Sequence, residues 1–94
     1  MIIELDKEAC ERVRAVTREA KESGAAPTAA QMRTIFTDEQ IAEIVDSVKG
    51  YGQTFEKICE AVAADWLGGD DEEELLETLD SFFDEAGVAF VRHG

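Results

Sequence analysis

The sequence feature that most constrains this fold is the segment GGDDEEELLETLDSFFDEAG, residues 68–87. It contains nine carboxylates and no lysine or arginine, yet its apolar residues recur at helical spacing. At about 100° per residue, the apolar side chains fall on an arc of roughly 120°. We therefore predict an amphipathic helix over about 71–86, with Asp70 as its N-cap, Glu73 at the capping-box position and Gly87 as its exit. The predicted buried residues are Leu75, Leu76, Leu79, Phe82, Phe83 and Ala86.

The acidic side of this helix belongs to a strongly polarised charge distribution. The net charge is −13. Residues 1–57 carry 11 acidic and 8 basic side chains, whereas residues 58–94 carry 11 acidic side chains and Arg92 alone. Like charges three or four residues apart on a helix each cost a few tenths of a kcal/mol, so the one-sided face favours either a solubility role or a cationic partner. The predicted partner-binding residues are Glu73, Glu74, Glu77, Asp80, Asp84 and Glu85.

A first helix is predicted over about 7–23, with Asp6 as N-cap and Gly24 as the exit residue. Its apolar side has few large groups, and a basic edge runs beside it. The predicted buried residues are Ala9, Cys10, Val13, Val16, Thr17 and Ala20. The basic edge consists of Lys7, Arg14, Arg18 and Lys21.

Two Thr-x-x-Gln patterns, beginning at Thr28 and Thr37, have the form of capping boxes. They predict a short helix ending at Phe36 and a longer helix over about 38–49. Apolar spacing predicts a further helix over about 53–67.

The predicted fold is all-α: a small bundle of four main helices plus one short helix, in a single domain spanning residues 1–94. The ends, residues 1–5 and 88–94, read as short strands or arms. Because an isolated strand pair is marginal in water, such a pair would need to lie on the helices or on another subunit.

Residues that support catalysis or metal binding are sparse. The single histidine, His93, is next to last, and Cys10 and Cys59 lie on separate apolar stripes without paired zinc-ligand spacing. Both thiols are expected to be reduced and buried. No calcium-loop or phosphate-loop pattern occurs. We expect no enzyme activity, no cofactor and no metal.

The segment over 28–49 has the form of a helix-turn-helix, but its second helix is mainly acidic. DNA phosphates would repel that helix, so direct nucleic-acid binding is not expected. No apolar run approaches the roughly 18 residues of a membrane span, and the N-terminal residues turn acidic too early for a signal peptide. The sequence therefore predicts a cytoplasmic protein without membrane contact.

The leading functional hypothesis is a small inhibitor or accessory protein. Its acidic helix would dock on a basic protein surface, such as that of a nucleic-acid-binding protein, in the manner of a nucleic-acid mimic. The alternative is an oligomeric assembly or chaperone-like protein, bacterial or phage, whose acids serve solubility. Homo-oligomers are expected, with the basic edge facing the acidic helix of a second copy and apolar surface exposed at Phe90, Tyr51 and the edge formed by Leu75 and Phe82.

Overall fold

The computed structural model describes residues 1–48, 54–66 and 73–93. Within these ranges, the chain forms four helices of ten or more residues, one helix of five residues and one pair of strands. The two strands come from the two ends of the chain. The fold is therefore mostly all-α with a small sheet, as predicted. In chain order, the elements are β1 Ile2–Leu5, α1 Lys7–Ser23, α2 Ala29–Arg33, α3 Asp38–Ser47, α4 Phe55–Ala64, α5 Glu74–Phe83 and β2 Ala89–Arg92.

Helix α1 has the predicted bounds and the predicted buried face. Asp6 Oδ1 accepts a hydrogen bond from the Ala9 N–H at 2.8 Å, which satisfies an unpaired donor of the first turn. Gly24 ends the helix at φ 71°, a left-handed conformation that glycine adopts readily. All six predicted buried residues of α1 are buried, and the polar one among them, Thr17, donates through Oγ1 to the Val13 carbonyl at 2.8 Å.

Both predicted capping boxes form. Thr28 and Thr37 each accept from the backbone of the glutamine three residues later, and each glutamine side chain accepts in return. The short helix α2 ends at Arg33 rather than at Phe36, because the following residues form tighter i to i+3 hydrogen bonds. Helix α3 ends at Ser47, and the predicted end at Lys49 lies outside the described residues.

The bounds of the last two helices were predicted less well. Helix α4 begins after Thr54, whose side chain accepts from the Lys57 N–H at 3.2 Å. Its predicted ends at 53 and 67 lie outside the described residues, as does the predicted start of α5 with its cap. Glu73 is the N-cap residue of α5 and its side chain makes no N-cap hydrogen bond, while its predicted capping-box partner, Asp70, lies outside the described residues.

Helix α5 also ends three residues earlier than expected, at Phe83 instead of Ala86. The Ala86 N–H donates to the Phe83 carbonyl at 3.1 Å, an i to i+3 bond that tightens the last turn. Gly87, at φ 75°, is the exit residue as predicted, and the Val88 N–H closes the turn on the Phe83 carbonyl at 3.2 Å. The acidic residues after Phe83 therefore lie in a turn.

The two terminal strands form a parallel pair, with Ile3 opposite Phe90 and Leu5 opposite Arg92. Ile3, Leu5 and Phe90 point inward and are at most 4% exposed. The expected exposure of Phe90 was wrong, because its ring lies 5.6 Å from that of Phe83 on α5 and 6.0 Å from that of Phe36.

The other apolar side chains that were expected to be exposed differ in their burial. Leu75 is fully buried, so the expected exposed edge on α5 was wrong there, while Phe82 is partly buried and Tyr51 lies outside the described residues. Cys10 and Cys59 are buried free thiols, as expected. One hydrophobic cluster joins every helix and both strands.

Candidate protein-docking surface

Helix α5 is held in place by its apolar face. Leu75, Leu76, Leu79 and Phe83 are each at most 3% exposed, so the helix cannot rotate without breaking the core. The opposite face carries the predicted binding carboxylates. The structure divides these carboxylates into two groups with different surroundings.

The first group, Glu73 and Asp80, is paired with arginines of the same chain. Arg92 Nη2 donates to Asp80 Oδ2 at 3.3 Å, and Arg92 Nε lies 3.7 Å from Glu73 Oε2. Arg14 Nη2, from α1, lies 3.7 Å from Glu73 Oε1. We call these four residues the ion-pair cluster. It ties α1, α5 and β2 together, so Glu73 and Asp80 are less available to a partner than the sequence suggested.

The positions of these charges follow from local structure. Glu73 and Asp80 are seven residues apart, so they lie two helical turns apart on the same side of α5. Strand alternation places Arg92 on the same side of the sheet as Phe90, which faces α5. All four side chains of the cluster are 35–41% exposed, so each pair is only modestly stabilising.

The second group, Glu74, Glu77, Asp84 and Glu85, lies outside the ion-pair cluster. Glu74, Asp84 and Glu85 form no ion pair with the described residues. Glu77, Asp84 and Glu85 are exposed, and Glu74 is half-buried. Within the described part of the chain, Glu74, Asp84 and Glu85 therefore have no ion-pair partner to offset their charge.

Part of this second group lines a shallow depression between the end of α4 and α5, about 140 Å³ in volume. Three carboxylates and two hydroxyl residues form its walls, and we call it the acidic groove. Thr78, which is 7% exposed, donates through Oγ1 to the Glu74 carbonyl at 2.9 Å. The groove therefore presents acceptors suited to a cationic side chain. Its lining residues are Asp65, Glu74, Glu77, Thr78 and Ser81.

The basic edge of α1 meets the acidic helix within one chain at Arg14. Lys7, Arg18 and Lys21 are exposed on the same helix. Their role in self-association stays a prediction.

The two free thiols are buried, one on α1 and one on α4. Cys10 Sγ donates weakly to the Leu5 carbonyl at 3.7 Å, beneath a cavity of about 30 Å³ that adjoins the ion-pair cluster. Burial raises the pKa of Cys59 to about 12, so the thiol is protonated at neutral pH. Elsewhere, the side-chain hydrogen bond from Arg33 lowers the pKa of the exposed Glu56. Within the described part of the chain, no group of three or more His, Cys, Asp or Glu side chains is placed to bind a metal ion.

Comparison of the chain with protein-family models, with curated proteins and with solved structures gives no significant match. Among the helices formed by residues 1–48, 54–66 and 73–93, none has the length and apolar character needed to cross a bilayer.

Sequence reasoning missed two residues of this surface. Asp65 joins the acidic groove from α4, and nothing in its local sequence indicates a neighbour on α5. Arg92 neutralises acids of α5, and its position as the sole cation after Lys57 was a signal for that role. A lone cation within an acidic third of the chain gains most by lying between several carboxylates.

Proposed function

We propose that this protein binds a basic macromolecular surface through the second group of acids on α5 and the acidic groove beside them. The observation that supports this most directly is that some acids of the helix are paired with arginines of the same chain while others are not. Arginines within the fold pair with Glu73 and Asp80, while Glu74, Asp84 and Glu85 have no ion pair with the described residues. The partner would be a protein rich in lysine and arginine.

Physical chemistry favours a partner with arginine or lysine side chains at its surface. A guanidinium group donates several hydrogen bonds in a planar fork and pairs well with carboxylates. The acidic groove offers Glu74 and Glu77 carboxylates with the Ser81 hydroxyl nearby. The net charge of −13 would also speed the encounter with a cationic partner through long-range attraction at low salt.

The test compares two charge-matched triple variants. The first, Glu74→Gln/Asp84→Asn/Glu85→Gln, removes three acids from the proposed docking side. The control, Glu39→Gln/Glu43→Gln/Asp46→Asn, removes the same residue types from exposed positions of α3. Both variants carry the same net charge, so only the location of the lost charge differs.

Proteins captured from a lysate by the immobilised wild-type chain are purified and titrated against all three forms between about 50 and 400 mM NaCl. The docking variant should lose about 10- to 100-fold in affinity at low salt, since three surface charge contacts are worth roughly 1.5–3 kcal/mol together. The control should bind within about threefold of wild type, and affinity should fall with salt. Equal loss in the two variants would show that location is irrelevant and would reject the docking surface.

If the protein acts as a nucleic-acid mimic, a second result is expected. A captured partner should bind duplex DNA, and this protein should displace the DNA in competition, because both ligands would use the same basic groove. Simultaneous binding of protein and DNA would exclude mimicry while leaving charge-based docking intact.

The second candidate function, an assembly or chaperone-like role, is favoured by a different observation. Met1 and Ile2 are the large hydrophobic side chains that stay exposed among the described residues, at 49% and 64%. If the protein acts through apolar surface, the docking triple variant should keep its partners and only lose solubility.

A further inference from the structure

The acidic helix α5 already carries cations on part of its surface. Arg92 Nη2 donates to Asp80 Oδ2 at 3.3 Å, and Arg92 Nε lies 3.7 Å from Glu73 Oε2. Arg14, in the middle of α1, lies 3.7 Å from Glu73. The formal charges of the ion-pair cluster sum to zero, because two arginines offset two carboxylates. Of these two arginines, Arg92 is the one that contacts both acids.

The acids that Arg92 covers are neighbours of the acids proposed to dock. Asp80 lies three residues after Glu77 and four before Asp84, the C-cap residue of α5. Glu73 lies four residues before Glu77. On a helix surface, side chains at these spacings have Cβ atoms about 5–6 Å apart. A cationic group bound at Glu77 or Asp84 would therefore lie within about one helical turn of the Arg92 guanidinium, which repels it.

The Arg92 side chain can rotate away from these acids while β2 stays in place. It is 37% exposed, and Glu73 and Asp80 are 41% and 39% exposed. The strand itself is held by the buried Phe90 and by a 2.8 Å backbone hydrogen bond from the His93 N–H to β1. Because exposed ion pairs are weak, the two contacts together favour the paired form of Arg92 by only about 2- to 30-fold. A partner that presents several cations can therefore displace it.

We propose that Arg92 is an autoinhibitory side chain, which covers Glu73 and Asp80 until a basic partner displaces it. This inference rests on the proposed function, docking of α5 on a basic surface, and adds its regulation. A single cation that replaces Arg92 exchanges one ion pair for another and gains little. A partner with several arginines or lysines binds first at acids such as Glu74 and Asp84, which raises the effective concentration of its remaining cations beside the covered acids. Arg92 thus makes α5 selective for surfaces that carry several cations.

Calorimetric titration with an oligoarginine peptide of about ten residues, at about 50 and 400 mM NaCl, tests the proposal. Arg92→Gln uncovers two acids, while Lys57→Gln removes the same charge from an exposed position of α4. At low salt, Arg92→Gln should bind the peptide about 3- to 10-fold more tightly than Lys57→Gln. At high salt the two affinities should agree within about twofold, because salt screens exposed charges. Arg92→Lys keeps the charge and should bind within about twofold of wild type.

A second set of measurements separates the uncovering of acids from a loosening of the fold. In the Arg92→Gln background, Glu73→Gln/Asp80→Asn removes the uncovered carboxylates, so the tighter binding should disappear. Circular dichroism at the assay temperature confirms that each variant is folded. In the wild-type chain, the NMR signal of the Arg92 Nε–H should exchange faster with water as the peptide is added, because the guanidinium leaves its carboxylates.

Each of three results would overturn the autoinhibitory role. These are equal affinities of Arg92→Gln and Lys57→Gln at low salt, tighter binding that persists after Glu73 and Asp80 are neutralised, and an Arg92 Nε–H signal that is unchanged at saturating peptide. The docking triple variant and its α3 control, titrated with the same peptide, report separately on the proposed function, because neither alters the ion-pair cluster. Equal binding by that pair would reject the docking surface, whereas the comparison of Arg92→Gln with Lys57→Gln decides the autoinhibitory contact.

Discussion

Replacing Arg92 by glutamine isolates the ion-pair cluster, because Arg92 contacts two acids of α5 from the strand β2. The substitution keeps a side chain with a polar end but removes the charge. Glu73 would keep Arg14 as a partner, while Asp80 would lose the ion pair described here. The cluster would no longer join the sheet to the acidic helix.

The expected loss of stability follows from the solvent exposure of the two ion pairs. Arg92 is 37% exposed, Glu73 41% and Asp80 39%, so each pair contributes about 0.2–1 kcal/mol. Repulsion among acids three or four residues apart on α5, no longer offset by the guanidinium, adds a few tenths of a kcal/mol. The free energy of unfolding should fall by about 1–2 kcal/mol, which lowers the melting temperature by roughly 4–15 °C for a domain of this size.

The assay is thermal and urea unfolding, followed by circular dichroism, at about 20 mM and 1 M NaCl. Lys57→Gln is the matched control, since it removes one positive charge from an exposed side chain on α4 for which the structure shows no ion pair within the described residues. The control should change stability by less than about 0.5 kcal/mol. At 1 M salt, where the Debye length is about 3 Å, the difference between the two variants should shrink by at least half.

Two results would refute this reasoning. Equal destabilisation by Arg92→Gln and Lys57→Gln would mean that only net charge matters. A loss that salt leaves unchanged would mean that Arg92 acts through apolar packing of its stem. A double-mutant cycle with Glu73→Gln distinguishes these cases, because a real ion pair should give a coupling energy of about 0.5 kcal/mol.

Three further predictions concern the fold. Thr37→Ala should lower stability to urea by about 1 kcal/mol because it removes a capping box, whereas Thr37→Ser, which keeps the hydroxyl, should lose less than half of that; equal losses would contradict the capping role. Phe90→Ala should cost about 3–5 kcal/mol, since the ring packs between Phe36 and Phe83, and Phe90→Leu should cost clearly less. Burial raises the pKa of the Cys59 thiol from 9.0 to about 12. The stability that comes from keeping this buried thiol protonated is therefore full below pH 9 and is lost as the pH rises to 12, by about 1.4 kcal/mol per pH unit. In urea unfolding over that pH range, Cys59→Ala should lose stability less steeply than wild type, and parallel curves would contradict the burial argument.

The sequence alone determined most of the local structure. Caps such as Asp6, Thr28 and Thr37 act on backbone donors within three residues, so they were read correctly without knowledge of the fold. The buried face of α1 was also correct in full, because helical periodicity needs only the spacing of apolar residues. The same reasoning gave the all-α class with terminal strands.

Tertiary structure decided the features that depend on residues far apart in the chain. The parallel pairing of β1 with β2 brings Arg92 beside Glu73 and Asp80, and no local pattern encodes the direction of that pairing. The acidic helix looked uniformly charged in sequence, yet packing pairs Glu73 and Asp80 with arginines and leaves Glu74, Asp84 and Glu85 without an ion pair among the described residues. Periodicity specifies which face of a helix is buried, but only the positions of neighbouring elements specify which charges on the other face meet a partner within the fold.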